Sequence, residues 1–337
     1  MGGVILSRKY SESMILGLVV LVVLLLMWIL AGGHFFQISN FQSMAFQLPE
    51  LGILSLAMMV TMLTAGINLS IIASANLCGI ITAMLLTNVF PPEATGIAQA
   101  GIILLAIAAG LLVSTLIGLL NGFLIARVNV SAILATLGTM ILLNGLAIVL
   151  TKGYVISGFP KPVLFIGNGL VLGIPMPMII FIVCAVAMVL VLNRTPLGVN
   201  IYMIGSNPTA CYFAGVNNAG VLLKTYLISG LYSGIAAIIM ISRFNSAKAD
   251  YGQSYLLMTV LASVLGGTSA MGGFGRVSGL VMALIILQFV SSGLNLLGVS
   301  NFLTIAIWGV ILILVMVVNY LSERYRERSY REKTQVT

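Results

Sequence analysis

Ten apolar runs divide this chain, at about 14–33, 48–66, 70–89, 96–126, 132–151, 170–193, 220–242, 255–271, 277–298 and 302–321. Each approaches or exceeds the ~20 residues that a helix needs to cross the hydrocarbon of a bilayer. None shows strand-like alternation, and helices suit the lipid interior because they satisfy their own backbone there. The expected fold is therefore all-α: a polytopic membrane protein of about ten transmembrane helices, with both termini on one side. Composition agrees. Charged residues are 7% of the 337 and hydrophobic residues 60%, against about 25% charged in a soluble domain. No stretch of ordinary composition is long enough for a separate soluble module. Residues 1–337 read as a single transmembrane domain, with no ATPase, receptor or enzyme of its own.

The net charge of +8 invites a nucleic-acid reading, which the placement of the charges rejects. With the N-terminus cytoplasmic, the inner segments carry Arg8, Lys9, Arg127, Arg194, Lys224, Arg276, Arg324, Arg326, Arg328, Arg331 and Lys333. The outer segments carry Lys152, Lys161, Arg243 and Lys248. Eleven against four is the bias expected of cytoplasmic loops and ends, and 322–337 reads as a basic cytoplasmic tail. The first apolar run, lacking a convincing small-residue cleavage site, reads as a retained span. Cys78, Cys184 and Cys211 have neither ligand nor disulfide spacing, and His34 is the single His. A His-based metal or catalytic cluster is excluded, and no metal site is expected.

Two loops are longer than turns. The outer one, about 152–170, holds Pro160, Pro162 and several Gly. The cytoplasmic one, about 194–220, contains a helix signal: Asn207 as N-cap, Pro208 at the first helical position, and Gly215 as a stop. A short helix within about 206–216 would expose apolar residues, which a monomeric protein has little reason to do. Between the second and third runs, Thr64-Ala-Gly-Ile-Asn-Leu-Ser70 interrupts the apolar pattern abruptly. It reads either as a tight turn or as a bend lining a cavity, since irregular backbone at membrane depth needs protein or water to cover it.

Gly266-Gly267-Thr268 lacks the Lys of a nucleotide-binding loop, so any ATP used is hydrolysed by another polypeptide. The seven acids, Glu12, Glu50, Glu93, Asp250, Glu323, Glu327 and Glu332, all map to loops or span ends. That argues against proton coupling, while leaving sodium coupling through backbone carbonyls open. The interior polar groups are neutral: Asn68, Asn76, Asn121, Asn144, Gln288, Ser291, Ser292 and Asn295, with Ser70 in the bend. They suit either a polyol substrate, which needs hydrogen bonds and no counter-charge, or bonds between neighbouring helices.

Four segments carry a family resemblance: Ala65-Gly-Ile-Asn-Leu-Ser70; Asn121-Gly122 with Ala135-Thr-Leu-Gly-Thr-Met140; Gly205-Ser-Asn-Pro-Thr-Ala210 with Ala214-Gly-Val216; and Val264-Leu-Gly-Gly-Thr268 with Gly272-Gly273, Gly275-Arg276 and Gly293-Leu-Asn295. Over most of its length the chain resembles the ribose-type permeases of ABC importers for simple sugars and related small polar solutes. The resemblance implies a bacterial inner-membrane subunit that pairs with a second permease, as homo- or heterodimer. It implies ABC ATPase subunits, which would bind the ATP and Mg, and a periplasmic solute-binding protein. The segment Asn207, Pro208, Thr209, Ala210, Cys211, Tyr212, Phe213, Ala214, Gly215 would be the coupling helix. Asn68, Ser70, Asn76, Asn121, Gln288 and Asn295 would line the translocation path. Asn68 departs from the family's Asp, and Ile71-Ile-Ala-Ser74 from its Val-Gly-Ser. An importer of a nucleoside, amino acid or signalling molecule, or a sodium-coupled carrier, stays as the alternative.

Overall fold

The computed structural model describes residues 17–30, 32–88, 97–300 and 302–317. The basic tail expected at 322–337 lies outside them. Helices dominate, in chain order α1 (Gly17–Leu30), α2 (Ile38–Met62), α3 (Ile71–Asn88), α4 (Ile97–Ala126), α5 (Ala132–Thr151), α6 (Lys161–Asn168), α7 (Met176–Arg194), α8 (Pro196–Ser206), α9 (Pro208–Phe213), α10 (Asn218–Phe244), α11 (Tyr255–Leu265), α12 (Val277–Leu296) and α13 (Phe302–Val317). Seven of them, α2, α3, α4, α5, α7, α10 and α12, are long and apolar enough to cross a membrane. The shorter apolar helices α1, α11 and α13 occupy the remaining three apolar runs.

α10 is the hub, packed against α2, α3 and α4. Its seam with α4 is built from small residues four apart, Ser114 and Gly118 on α4 facing Gly230 and Gly234 on α10, with Gly122 against Leu223 and Tyr226. With no apolar driving force between helices in lipid, close backbone approach is what holds them. A methyl group on Gly118 would lie 3.0 Å from the Gly230 Cα and run into the Tyr226 carbonyl. Gly118→Val should therefore push α4 off α10. Overpacking of this kind costs about 1–3 kcal/mol, read as a lower melting temperature of the detergent-solubilised protein. An unchanged melting temperature would refute the seam.

The bundle has two distinct ends. At one lie α9 and the start of α10. At the other, the two-stranded pair β1 (Ile156–Ser157) with β4 (Ser246–Ala247) and α6 cover the C-terminus of α10, where the Asn168 Nδ2 donates to the Ser242 carbonyl (3.0 Å). A second small hairpin, β2 (Leu170–Val171) with β3 (Ile174–Pro175), leads into α7. The two longer loops of the sequence thus sit at opposite ends.

Two expectations are corrected. The run at 255–271 is not one helix: α11 stops at Leu265, and 266–276 is a glycine-rich loop. The second span begins near residue 38, not 48, which puts Glu50 in the middle of α2. There it is fully buried, so the reading of all seven acids as loop or span-end residues fails for Glu50. Arg243 Nε lies 3.0 Å from Glu50 Oε1, close enough for an ion pair, though neither carboxylate oxygen accepts an aligned hydrogen bond. The Arg243 Nη1 also donates to the Phe46 carbonyl (3.2 Å), and the guanidinium sits 4.8 Å over the Phe244 ring.

Candidate functional site

The helix α9 forms because its signals are local. Asn207 Oδ1 accepts from the Ala210 N–H (2.9 Å), Pro208 needs no donor partner at the first turn, and Gly215 leaves the helix with φ +79. The helix spans Pro208–Phe213, inside the expected 206–216. Thr195 and Asn217 cap α8 and α10 in the same way, so the chain restarts a helix three times at this end. Cys211 is buried and anchors α9. Pro208, Thr209, Ala210 and Ala214 are exposed, as are Tyr212 (71%) and Phe213 (82%).

One to three turns inside that end is the interruption between α2 and α3. Ala65 takes φ +60, an αL conformation that costs a non-glycine residue energy and persists where its surroundings hold it. They do. Thr139 Oγ1 donates to Asn121 Oδ1 (2.7 Å), a proton it shares with the Ala135 carbonyl (2.9 Å). Asn121 Nδ2 donates to Ser70 Oγ (2.8 Å), and Ser70 Oγ to Asn68 Oδ1 (2.8 Å). Asn68 Nδ2 donates to Ser229 Oγ (3.0 Å), and Ser229 Oγ to the Ala57 carbonyl (2.9 Å). The Ser70 and Ser229 hydroxyls each take one bond and give one, so the bonds polarise one another in a single direction. Beside it, Thr136 Oγ1 accepts from the Leu69 N–H (3.1 Å). Five helices, α2, α3, α4, α5 and α10, meet on this one buried network. Ser229 is the eleventh residue beyond Asn218, which places it about 16 Å along α10.

The residues expected to line a path therefore separate into groups. Asn68, Ser70 and Asn121 come together, all at most 2% exposed, as a brace around the break. Asn76 stands apart, its Nδ2 donating to the Ala249 and Tyr251 carbonyls (2.9 and 3.0 Å). Gln288 is buried on α12, and Asn295 is exposed near its end. Thr136, Thr139 and Ser229 belong to the site and were not singled out for it. The motif Thr136-Leu-Gly-Thr139 carried the signal, because residues three apart share a helix face.

The loop 266–276 closes this end of the bundle. Gly272 and Gly273, at φ +85 and +77, lie against Gly205 and Ser206 just ahead of α9. The Gly273 N–H donates to the Leu63 carbonyl (2.9 Å), tying the loop to the last turn of α2. Tyr202 Oη donates to the Gly275 carbonyl (2.9 Å). Burial raises the pKa of that phenol and Arg276 partly offsets the rise, so it keeps the proton it donates.

Among the described residues the bundle thus combines seven helices long and apolar enough to cross a membrane with a braced helix break and a short exposed helix at one end. The chain belongs to the family described as branched-chain amino acid transport system / permease component, which matches residues 40–318. It is 37% identical to the ribose import permease protein RbsC of Haemophilus influenzae, over 91% of this chain and 93% of that one. It is 34% identical to the autoinducer 2 import system permease protein LsrD of Yersinia enterocolitica, over 79% of each, and to that of Escherichia coli K12 over the same shares. No solved structure matches it. The chain is a multi-pass permease subunit of the bacterial inner membrane, and ATP hydrolysis resides in a separate subunit.

Proposed function

We propose that this chain is the permease of an ATP-driven importer for a small neutral polyhydroxyl solute of the simple-sugar class, delivered by a periplasmic binding protein. The observation that carries the reading is α9: capped, anchored by Cys211, and presenting Tyr212 and Phe213 outward. In this reading ten helices cross the membrane and the α9 end is cytoplasmic, with both termini. A second permease subunit, identical or not, completes the path, and ATP with Mg binds between ATPase subunits docked on α9. Closure of those subunits moves α9, and the break around Asn68, Ser70 and Asn121 rearranges to open the path, with Asn76, Gln288 and Asn295 lining other parts of it. The neutral network suits a solute that exchanges hydrogen bonds and carries no charge. Likeness to LsrD favours a second solute class, a signalling molecule of the autoinducer-2 type.

Two measurements test this. An ATPase subunit should copurify with the chain, whereas uptake by the chain alone in liposomes would replace the proposal with a sodium-coupled carrier. A thermal-shift screen of the cognate binding protein against sugars, nucleosides, amino acids and autoinducer-2 should give its shift with a sugar, and a shift with another class would move the assignment there. Ala214→Arg, on the exposed rim of α9, should abolish uptake while ATP hydrolysis and membrane insertion persist. Wild-type uptake by that variant would remove α9 from the coupling step.

A further inference from the structure

We propose that the tip of the loop between α11 and α12, Met271 with Phe274, is a second contact surface for the ATPase subunit, beside α9. The proposal rests on the reading of α9 as the docking helix and extends it. Met271 is 79% and Phe274 70% exposed, in a loop whose backbone is otherwise held at both flanks. Within the loop, the Ser269 N–H donates to the Phe274 carbonyl (2.9 Å) and the Gly272 N–H to the Ser269 carbonyl (3.2 Å). The Met271 N–H donates to Ser269 Oγ (3.1 Å). Two large apolar side chains on so constrained a turn form a fixed surface, and contiguous exposed apolar surface marks an interaction site.

Its position selects the partner. Gly272 and Gly273 abut Gly205 and Ser206, and Asn207, the next residue, caps α9. The loop that carries the exposed pair therefore abuts the chain immediately ahead of the helix that carries Tyr212 and Phe213. The same loop reaches inward. Gly273 bonds the Leu63 carbonyl, and both Gly205 and Gly275 pack on Leu63, at the threshold of the helix break. α9 itself touches α8 and α10, and its own hydrogen bonds stay within residues 203–218. A subunit that pressed on Met271 and Phe274 would act on the end of α2 through one backbone hydrogen bond.

Cysteine accessibility in the assembled importer tests this directly. Cys78, Cys184 and Cys211 are all buried, so Tyr212→Cys, Met271→Cys and Phe274→Cys can each be probed with a water-soluble maleimide in inside-out vesicles, with and without the ATPase. Both loop cysteines should label without the ATPase and lose labelling when it is bound, as Tyr212→Cys does. Protection of Tyr212→Cys with continued labelling of both loop cysteines would overturn the second contact and leave the α9 reading intact. Loop cysteines that never label face lipid or the second permease, which also overturns it. Loop protection with Tyr212→Cys still open would discard α9 as the docking helix and, with it, the reading of the loop as a second contact beside α9.

Discussion

Arg243→Ala should collapse the amount of folded protein. The substitution leaves the Glu50 carboxyl in the middle of α2, fully buried, with no cation in reach among the described residues. Removing one partner of a buried pair costs about 3–5 kcal/mol, far more than the pair contributes as a net gain, because the remaining charge must be neutralised or hydrated in place. Glu50→Gln should cost less: the guanidinium, whose side chain is 18% exposed, still has the Phe46 carbonyl and the Phe244 ring. The double variant Glu50→Gln/Arg243→Ala should recover much of the single Arg243 loss, since no uncompensated charge remains. Melting temperature and membrane abundance of the four proteins form a double-mutant cycle. Additive effects in that cycle would show that the two side chains are near each other without depending on each other.

How much of this could be read beforehand depends on how local each cause is. The runs of apolar residues located the helices because burial in lipid needs nothing but length and composition, and α9 was legible from Asn207-Pro208 and Gly215 alone. The start of α2 was not. Residues 38–47 include Ser39, Asn40, Gln42, Ser43 and Gln47, so hydropathy sees a loop. The helix is held there by tertiary contacts: Asn40 Nδ2 donates to the Phe35 carbonyl (2.9 Å), and Asn40 Oδ1 accepts from Ser292 on α12 (2.7 Å). Misplacing that one boundary moved Glu50 from mid-helix to a span end and hid its pairing with Arg243. The bond from Gly273 to Leu63 joins segments far apart in sequence, and no local pattern announces it. Asn68, Ser70 and Asn121 were picked as polar residues in apolar surroundings, which is sound. That they share one hydrogen-bonded series with Thr139 and Ser229, while Asn76 serves a different junction, follows only from the packing of five helices.

Asn68→Leu should lower uptake per molecule much more than it lowers abundance. The leucine keeps the branching and the number of side-chain heavy atoms, with bulkier methyl groups, but the oxygen that accepted from the Ser70 N–H (3.1 Å) and from the Ser70 hydroxyl is gone. A buried donor left without a partner costs roughly 1–3 kcal/mol. That penalty falls on the eight residues between α2 and α3 rather than on the helices themselves, whose long buried faces set global stability. Upstream, Asn121 Nδ2 keeps the Ser70 hydroxyl and Thr139 keeps the Asn121 oxygen, and downstream Ser229 keeps the Ala57 carbonyl. The loss is thus a break in the middle of the brace, and the segment carrying the strained Ala65 gains freedom to take other conformations. Asn68→Asp separates this from a simple loss of size: a carboxylate cannot donate to Ser229, so the Ser229 hydroxyl must turn toward it and release Ala57, and the series loses its single direction at that point. Uptake per molecule in proteoliposomes, normalised to the amount of folded protein, should fall for both variants, with Leu the more severe. Equal proportional losses of uptake and abundance would reduce Asn68 to a packing residue and detach the break from the transport cycle.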